Sequence, residues 1–293
     1  MRQSVQDHIV EIVNLILLSL IALAVIYPLV FVFSASISNQ TYVFNGQMWL
    51  WPRDISLVGY EKIFQNREVL TGYLNTLLYT SVGTLVNVIL TVMAAYPLSR
   101  RDFRGRHLFT GMMVFTLFFS GGLIPTYMVV RSLGIMNTMW ALILPGAVSV
   151  WNIIIMRTFF QSSIPDGIQE AAQIDGCRNL QILTRIVLPL SAPILAVMVL
   201  FYSVGHWNAF FNALIYLTDR ELYPLQLFLR EILIQDQMEE MVNVGDNTNA
   251  QNILDREAVK YAMVIVANLP ILMLYPFLQK YFAKGVMIGA IKG

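Results

Sequence analysis

Apolar residues fall into six long blocks, separated by stretches in which polar and charged residues collect. The blocks cover about residues 9–33, 73–98, 108–130, 139–159, 190–217 and 261–282. Each supplies the roughly 20 residues that a helix needs to cross about 30 Å of hydrocarbon. The pattern predicts an all-α polytopic membrane protein: six transmembrane helices in a single membrane domain over residues 1–293. An even number of spans puts both termini on one side. Ser34-Ala35-Ser36 has the look of a signal cleavage site. The apolar run before it starts at Ile12, however, and exceeds the roughly 7–15 residues of a signal's apolar region, so it reads as an uncleaved first span.

Composition agrees with a membrane location. Apolar residues make up 57% of the chain and charged ones 13%, against about 45–50% and about 25% in typical soluble domains. The net charge of +1 gives no electrostatic case for nucleic acid. A single cysteine, Cys177, rules out an internal disulfide. The cations choose the orientation. Arg100, Arg101, Arg104 and Arg106 crowd the Ser99–His107 loop, Arg157 ends span four, and Arg178 and Arg185 lie in residues 161–189. Arg2, Lys280, Lys284 and Lys292 fall on the same side, while most acids fall on the other. The positive-inside rule then places both termini and residues 161–189 in the cytoplasm. Two external loops remain. Ser34–Gly72 carries Trp49 and Trp51, which read as an interfacial belt. Thr218–Lys260 is acidic and reads as a solvated face or a docking surface. Asp246-Asn247-Thr248-Asn249 within it lacks the terminal glutamate and spacing of a calcium loop.

The polar segment PDGIQEAAQIDGCRNLQILTRIVLP, from Pro165 to Pro189, is the chain's most distinctive stretch. Pro165 pre-sets a helix start and Gly176 suits a left-handed stop. Asn179 suits the cap of a second short helix, and Pro189 its end. Ala171 and Ala172 would leave a flat patch open to close approach.

The spans offer few groups for chemistry. There is no Gly-Lys dipeptide, hence no phosphate-binding P-loop. Span interiors carry no Asp, Glu or Lys, the residues that serve ion-coupled carriers as relays and ligands. His206 is the titratable candidate at depth, and a lone histidine there is more often a packing residue. Pro193 and Gly205 are expected to loosen span five near Trp207, Asn208 and Asn212. An indole face beside amide groups suits a neutral sugar, and Trp151 with Asn152 on span four forms a similar pair. Gly121-Gly122-Leu123-Ile124-Pro125-Thr126-Tyr127 predicts a helix break that turns Tyr127 toward a pathway. Interhelical packing would use all these residues equally well.

Glu170-Ala171-Ala172, three residues, Gly176, nine residues, then Ile186-Val187-Leu188-Pro189 resembles the EAA loop of membrane subunits of ABC importers. The resemblance implies a type I ABC importer permease fold with a cytoplasmic coupling helix. Glu170, Ala171, Ala172, Asp175, Gly176 and Arg178 are then the ATPase-coupling residues. The Trp207-Asn208 pair and the ending Lys284–Gly293 are similar to carbohydrate permeases of the maltose-system kind, although Met287 and Ile288 depart from the family's glycine- and alanine-rich ending. The Gly121–Tyr127 stretch is similar to permeases for oligosaccharides such as alginate or pectin-derived uronides.

The family implies a multi-pass protein of the bacterial cytoplasmic membrane that works by alternating access. Its partners would be a second homologous permease, two ATPase subunits and an extracytoplasmic solute-binding protein that delivers an oligosaccharide. ATP and magnesium would sit on the ATPases, with no cofactor on this chain. The substrate pathway would use Trp207, Asn208, Asn212, Asn152, Trp151, Tyr127 and His206. The alternatives are a permease for a non-sugar solute, a scaffold subunit without a pathway, and an ion-coupled secondary carrier.

Overall fold

The computed structural model describes the backbone of residues 5–242 and 250–290, and within it the side chains of 8–234, 253–274 and 276. The ending Lys284–Gly293 and the Asp246–Asn249 stretch therefore lie outside the described side chains. Fifteen α-helices follow in order: α1 (Val5–Ser36), α2 (Gln40–Phe44), α3 (Val58–Gln65), α4 (Arg67–Ser99), α5 (Arg106–Phe118), α6 (Leu123–Ser132), α7 (Met139–Ile143), α8 (Val150–Ser163), α9 (Asp166–Ile174), α10 (Asn179–Ile182), α11 (Leu188–Leu190), α12 (Ala192–Trp207), α13 (Phe211–Tyr216), α14 (Leu225–Val242) and α15 (Ala250–Ala290). Helices α1 and α4 and the Ile253–Leu274 part of α15 are long and apolar enough to cross a membrane. Three bent pairs pass the same test jointly, which brings the possible crossings to six.

The break expected in span three is present, and spans four and five are bent as well. Span three is α5 and α6, meeting at 115°. The break falls at the Gly121-Gly122 pair, where Gly122 has φ +83°, and Pro125 stands in the first turn of α6, where its missing N–H costs nothing. Span four bends by 55° between Met139–Gly146 and Val150–Ser163. A 3₁₀ turn over Leu144–Gly146 ends its first part, and Ser149 Oγ accepts the Asn152 N–H at 3.4 Å to cap α8. In span five, Gly205 does not break the helix, because α12 runs through it to Trp207. The interruption comes at Asn208–Phe210, before α13. Pro189 likewise does not end the second loop helix. That helix passes through a π turn over Leu183–Val187 into α11 and meets α12 at 83°. The acidic Thr218–Lys260 stretch is largely helical, built from α14 and the start of α15.

The chain divides into two compact units. Unit one takes residues 1–70 and 229–269. Here α1 is exposed along almost all of its length, and its C-terminal end anchors the chain that follows. Ser36 Oγ and Tyr60 OH lie 2.8 Å apart, Gln40 donates to Ala35 O at 2.9 Å, and Ser38 bridges to Ile55. Gly59 touches the α15 backbone, since a Cβ there would stand 2.3 Å from Ala258 O. Trp49 and Trp51 are exposed, as a belt position requires.

Unit two takes residues 71–228 and 270–293. Its core gathers Val92, Tyr96, Met156, Phe160, Ile182 and Met198 with their neighbours. A polar seam runs along α4 against α12. Thr84 Oγ1 and Ser203 Oγ lie 3.2 Å apart, Asn87 Nδ2 is 3.0 Å from His206 Nε2, and Thr91 Oγ1 is 2.7 Å from Tyr202 OH. Such pairs satisfy polar groups where no water reaches. They fix the register of the two helices.

Candidate functional site: the Pro165–Leu190 segment and the span-five residues

Helix α9 forms as its sequence demands. Pro165 stands immediately before it with extended backbone, and Asp166 in the first turn complements the helix dipole. Gly176 ends it with φ +81°. Its N–H bonds to Gln173 O at 3.0 Å, and the Cys177 N–H to Ala172 O at 2.9 Å. These are the two bonds of a Schellman end, which needs a left-handed residue at Gly176. The start of α10 differs from expectation. Arg178, not Asn179, occupies its N-cap, and the Arg178 N–H donates to Gln181 Oε1 at 2.8 Å.

The two alanines of the motif separate. Ala172 is buried among Ile182, Val187 and the rest of the core, whereas Ala171 is exposed. The flat patch is thus half as large as the sequence suggested. Glu170 is exposed and makes no ion pair among the described residues. Asp175, Gly176 and Arg178 are exposed beside it. Sequence reasoning missed Ile174, the last residue of α9, which is 86% exposed. It stands six residues after Ile168, about 600° round the helix, and so leaves the apolar stripe. That displacement was the available signal.

Arg100 lies at the start of the loop after α4, with its side chain only 10% exposed. Its Nε and Nη2 donate to both oxygens of Asp102, at 2.9 and 2.8 Å. Its Nη1 donates to Gln169 Oε1 on α9 and stands 3.5 Å from Tyr96 OH. The bond from Arg100 holds the Asp102 carboxyl below its ordinary range, and the same bond raises Arg100 further above its own. Arg101 Nε pairs with Asp166 at 3.1 Å, on the surface.

The span-five candidates do not converge on one cavity. The Trp207 ring is buried, edge-on to Tyr73 at 5.8 Å, so it packs rather than facing a pathway. Asn208 is exposed. Its Nδ2 donates to Val204 O at 3.0 Å, and its Oδ1 accepts from Gln226 at 3.4 Å. His206 bonds to Asn87, and a Cβ on Gly83 would stand 2.6 Å from its ring. Its Nε2 is thus engaged in a contact between α4 and α12. Trp151 is exposed while its neighbour Asn152 is buried, so they do not act as a pair. Tyr127 is half-buried and stacks on Tyr216 with centroids 6.2 Å apart. Asn212 is half-buried on α13.

A helical membrane protein with bent spans, and with an exposed helix–glycine–helix segment between two of them, is the class this architecture defines. The chain belongs to the family described as binding-protein-dependent transport system inner membrane component, which matches residues 1–288. It is similar to Protein LplC of Bacillus subtilis (strain 168), at 37% identity over 293 residues, covering 100% of this chain and 98% of that one. It is similar to the polygalacturonan/rhamnogalacturonan transport system permease protein YtcP of the same organism, at 40% identity over 278 residues, covering 94% and 96%. Among solved structures it resembles a chain of a bacterial ABC transporter involved in the import of the acidic polysaccharide alginate. That match has a TM-score of 0.86 and 34% identity, over 96% of this chain and 99% of that one. The chain is an ABC importer permease subunit with the type I permease fold.

Proposed function

We propose that this chain is a pathway-forming permease of an ATP-driven importer for oligosaccharides, and that α9 is its coupling helix. The carrying observation is the surface that α9 and its glycine end present. Glu170, Ala171 and Ile174 are exposed, and the left-handed Gly176 closes the helix in the open. An exposed isoleucine beside an unpaired carboxylate, on a helix end held in fixed geometry, fits a groove on another protein. In this reading Glu170 meets a cation on a separate ATPase, and the segment lies in the cytoplasm with both termini. A second permease, a pair of ATPases and an extracytoplasmic binding protein complete the assembly. Closure of the ATPases moves α9, and the permeases alternate between inward- and outward-facing states. A loaded binding protein must then favour ATPase closure as strongly as closure favours the outward state.

Acidic oligosaccharides are the first substrates to test. One relative is named for polygalacturonan and rhamnogalacturonan transport, and the structural relative for alginate import. Exposed Asn208 and Trp151 and half-buried Tyr127 and Asn212 remain the candidate pathway contacts. Buried Trp207 and Asn152 and half-buried His206 support them from behind.

The experiment is ATPase activity of the complete complex in membranes, with the binding protein empty or loaded with uronic-acid and neutral oligosaccharides in turn. Stimulation by one oligosaccharide class is the expected result. Equal activity with every sugar, in an intact complex, would remove the carbohydrate assignment.

A further inference from the structure

The loop after α4 and the helix α9 are linked by two arginines, of which Arg100 is by far the less exposed. At the end of α4, two carbonyls left without intrahelical partners are claimed by α8. Leu98 O accepts from Arg157 Nε at 3.0 Å, and Ser99 O from Gln161 Nε2 at 3.4 Å. Helix α8 therefore moves with α4. Helix α9 is joined to α8 through Ile164 and Pro165, both in extended backbone; the Ile164 N–H closes back on Phe160 O and Pro165 O accepts the Ile168 N–H, so neither bond crosses from one helix to the other. Arg100 closes this gap by donating to Gln169 from a guanidinium already oriented by both oxygens of Asp102. Pre-orientation reduces the ordering cost of the contact, and the Arg100 side chain is only 10% exposed. The neighbouring Arg101–Asp166 pair spans the same cleft of about 240 Å³, but its side chains are 80% and 51% exposed. Exposed pairs of that kind contribute little. Ala172 also packs α9 into the apolar core, but among the polar contacts across this cleft the fastening rests on Arg100.

We infer that Arg100 is a positioning residue: a brace, through Gln169, that makes α9 and α4 move as one body and so passes ATPase closure to the α4–α12 seam. This rests on α9 being the coupling helix. A brace of this kind sets how much transport each ATP yields, whereas a purely structural contact sets only how much complex survives.

The test uses the complete complex in proteoliposomes with loaded binding protein, reading sugar taken up per ATP hydrolysed. Arg100→Ala and Gln169→Ala are each expected to lower that ratio about tenfold at unchanged complex yield. The double substitution should be no worse than either alone, as members of one contact behave. Gln169→Glu should keep the ratio, since a carboxylate still accepts from Arg100. An unchanged ratio in either single variant, or losses that multiply in the double, would overturn the brace. Gly176→Asp in the same assay separates the two claims. If Gly176→Asp is inactive while Arg100→Ala is normal, only the brace fails. If Gly176→Asp transports normally, the coupling-helix reading itself fails.

Discussion

Gly176 offers the sharpest test of how the coupling segment works, because its two possible roles differ in sign across a substitution series. Its φ of +81° lies in the left-handed region, and among the described residues, its chain neighbours aside, a Cβ there would meet no atom within 4 Å. Steric conflict inside the protein is therefore absent. What remains for Gly176→Ala is the conformational cost of a left-handed L-residue, about 1–2 kcal/mol. That cost falls on the two bonds that end α9, from Gly176 to Gln173 and from Cys177 to Ala172. A penalty of this size lowers the population of the correctly ended helix about 5–30-fold. It does not touch the spans, so insertion should be normal. Asparagine tolerates the left-handed conformation better than alanine, so Gly176→Asn should cost less despite its larger side chain. Gly176→Asp matches asparagine in shape and adds a charge. The assay is initial uptake by membrane vesicles carrying the complete complex, divided by the amount of inserted permease. The expected order is glycine, then asparagine, then alanine, with aspartate inactive. Uptake by Gly176→Ala within about twofold of wild type would refute the backbone argument. Asparagine falling below alanine would show that bulk against the partner matters, and not the left-handed end.

Other expectations follow from the same geometry. Trp207→Ala removes a buried ring and should cost about 3–5 kcal/mol, seen as lost thermal stability in detergent, while Trp207→Phe should leave sugar preference unchanged. A changed preference in the phenylalanine variant would return Trp207 to the pathway. Gly83→Ala drives a methyl into the His206 ring and should destabilise by about 1–3 kcal/mol; His206→Ala in the same chain should recover most of the loss. Ile174→Glu should weaken co-purification of the ATPase without reducing insertion, as read by pull-down from solubilised membranes. Because Arg100 depresses the Asp102 carboxyl, its stabilisation is complete above the ordinary value of about 3.9 and is lost only as pH falls below it. Sugar uptake per ATP should therefore be flat between about pH 5.5 and pH 8. A slope in that window would mean that a group other than Asp102 controls the brace.

What the sequence made legible divides along physical lines. Helices α1 and α4 were readable because an uninterrupted apolar block of sufficient length has one low-energy solution in a bilayer. The end of α9 was readable because left-handed backbone has a strong residue preference, and Gly176 meets it. Direction was not readable. Hydropathy counts residues without recording where a chain turns, so the Gly121-Gly122 pair predicts the break but not its 115° angle. Gly205 suggested a break that α12 does not make, since one glycine costs a packed helix only about 1 kcal/mol. The true interruption at Asn208–Phe210 carries neither glycine nor proline.

The members of each sugar pair differ in burial for a reason that helix geometry already contains. Adjacent residues stand about 100° apart round a helix, so Trp207 with Asn208, or Trp151 with Asn152, point in different directions. One member of each pair is buried and the other exposed. Arg100 fails in the opposite way, because nothing in the sequence separates it from Arg101, Arg104 and Arg106. All four count equally toward orientation, yet only Arg100 is shown both closing on Asp102 and reaching Gln169. Net charge in a loop follows from composition. Which charge bears load follows from burial, and burial depends on how α4, α8 and α9 come together.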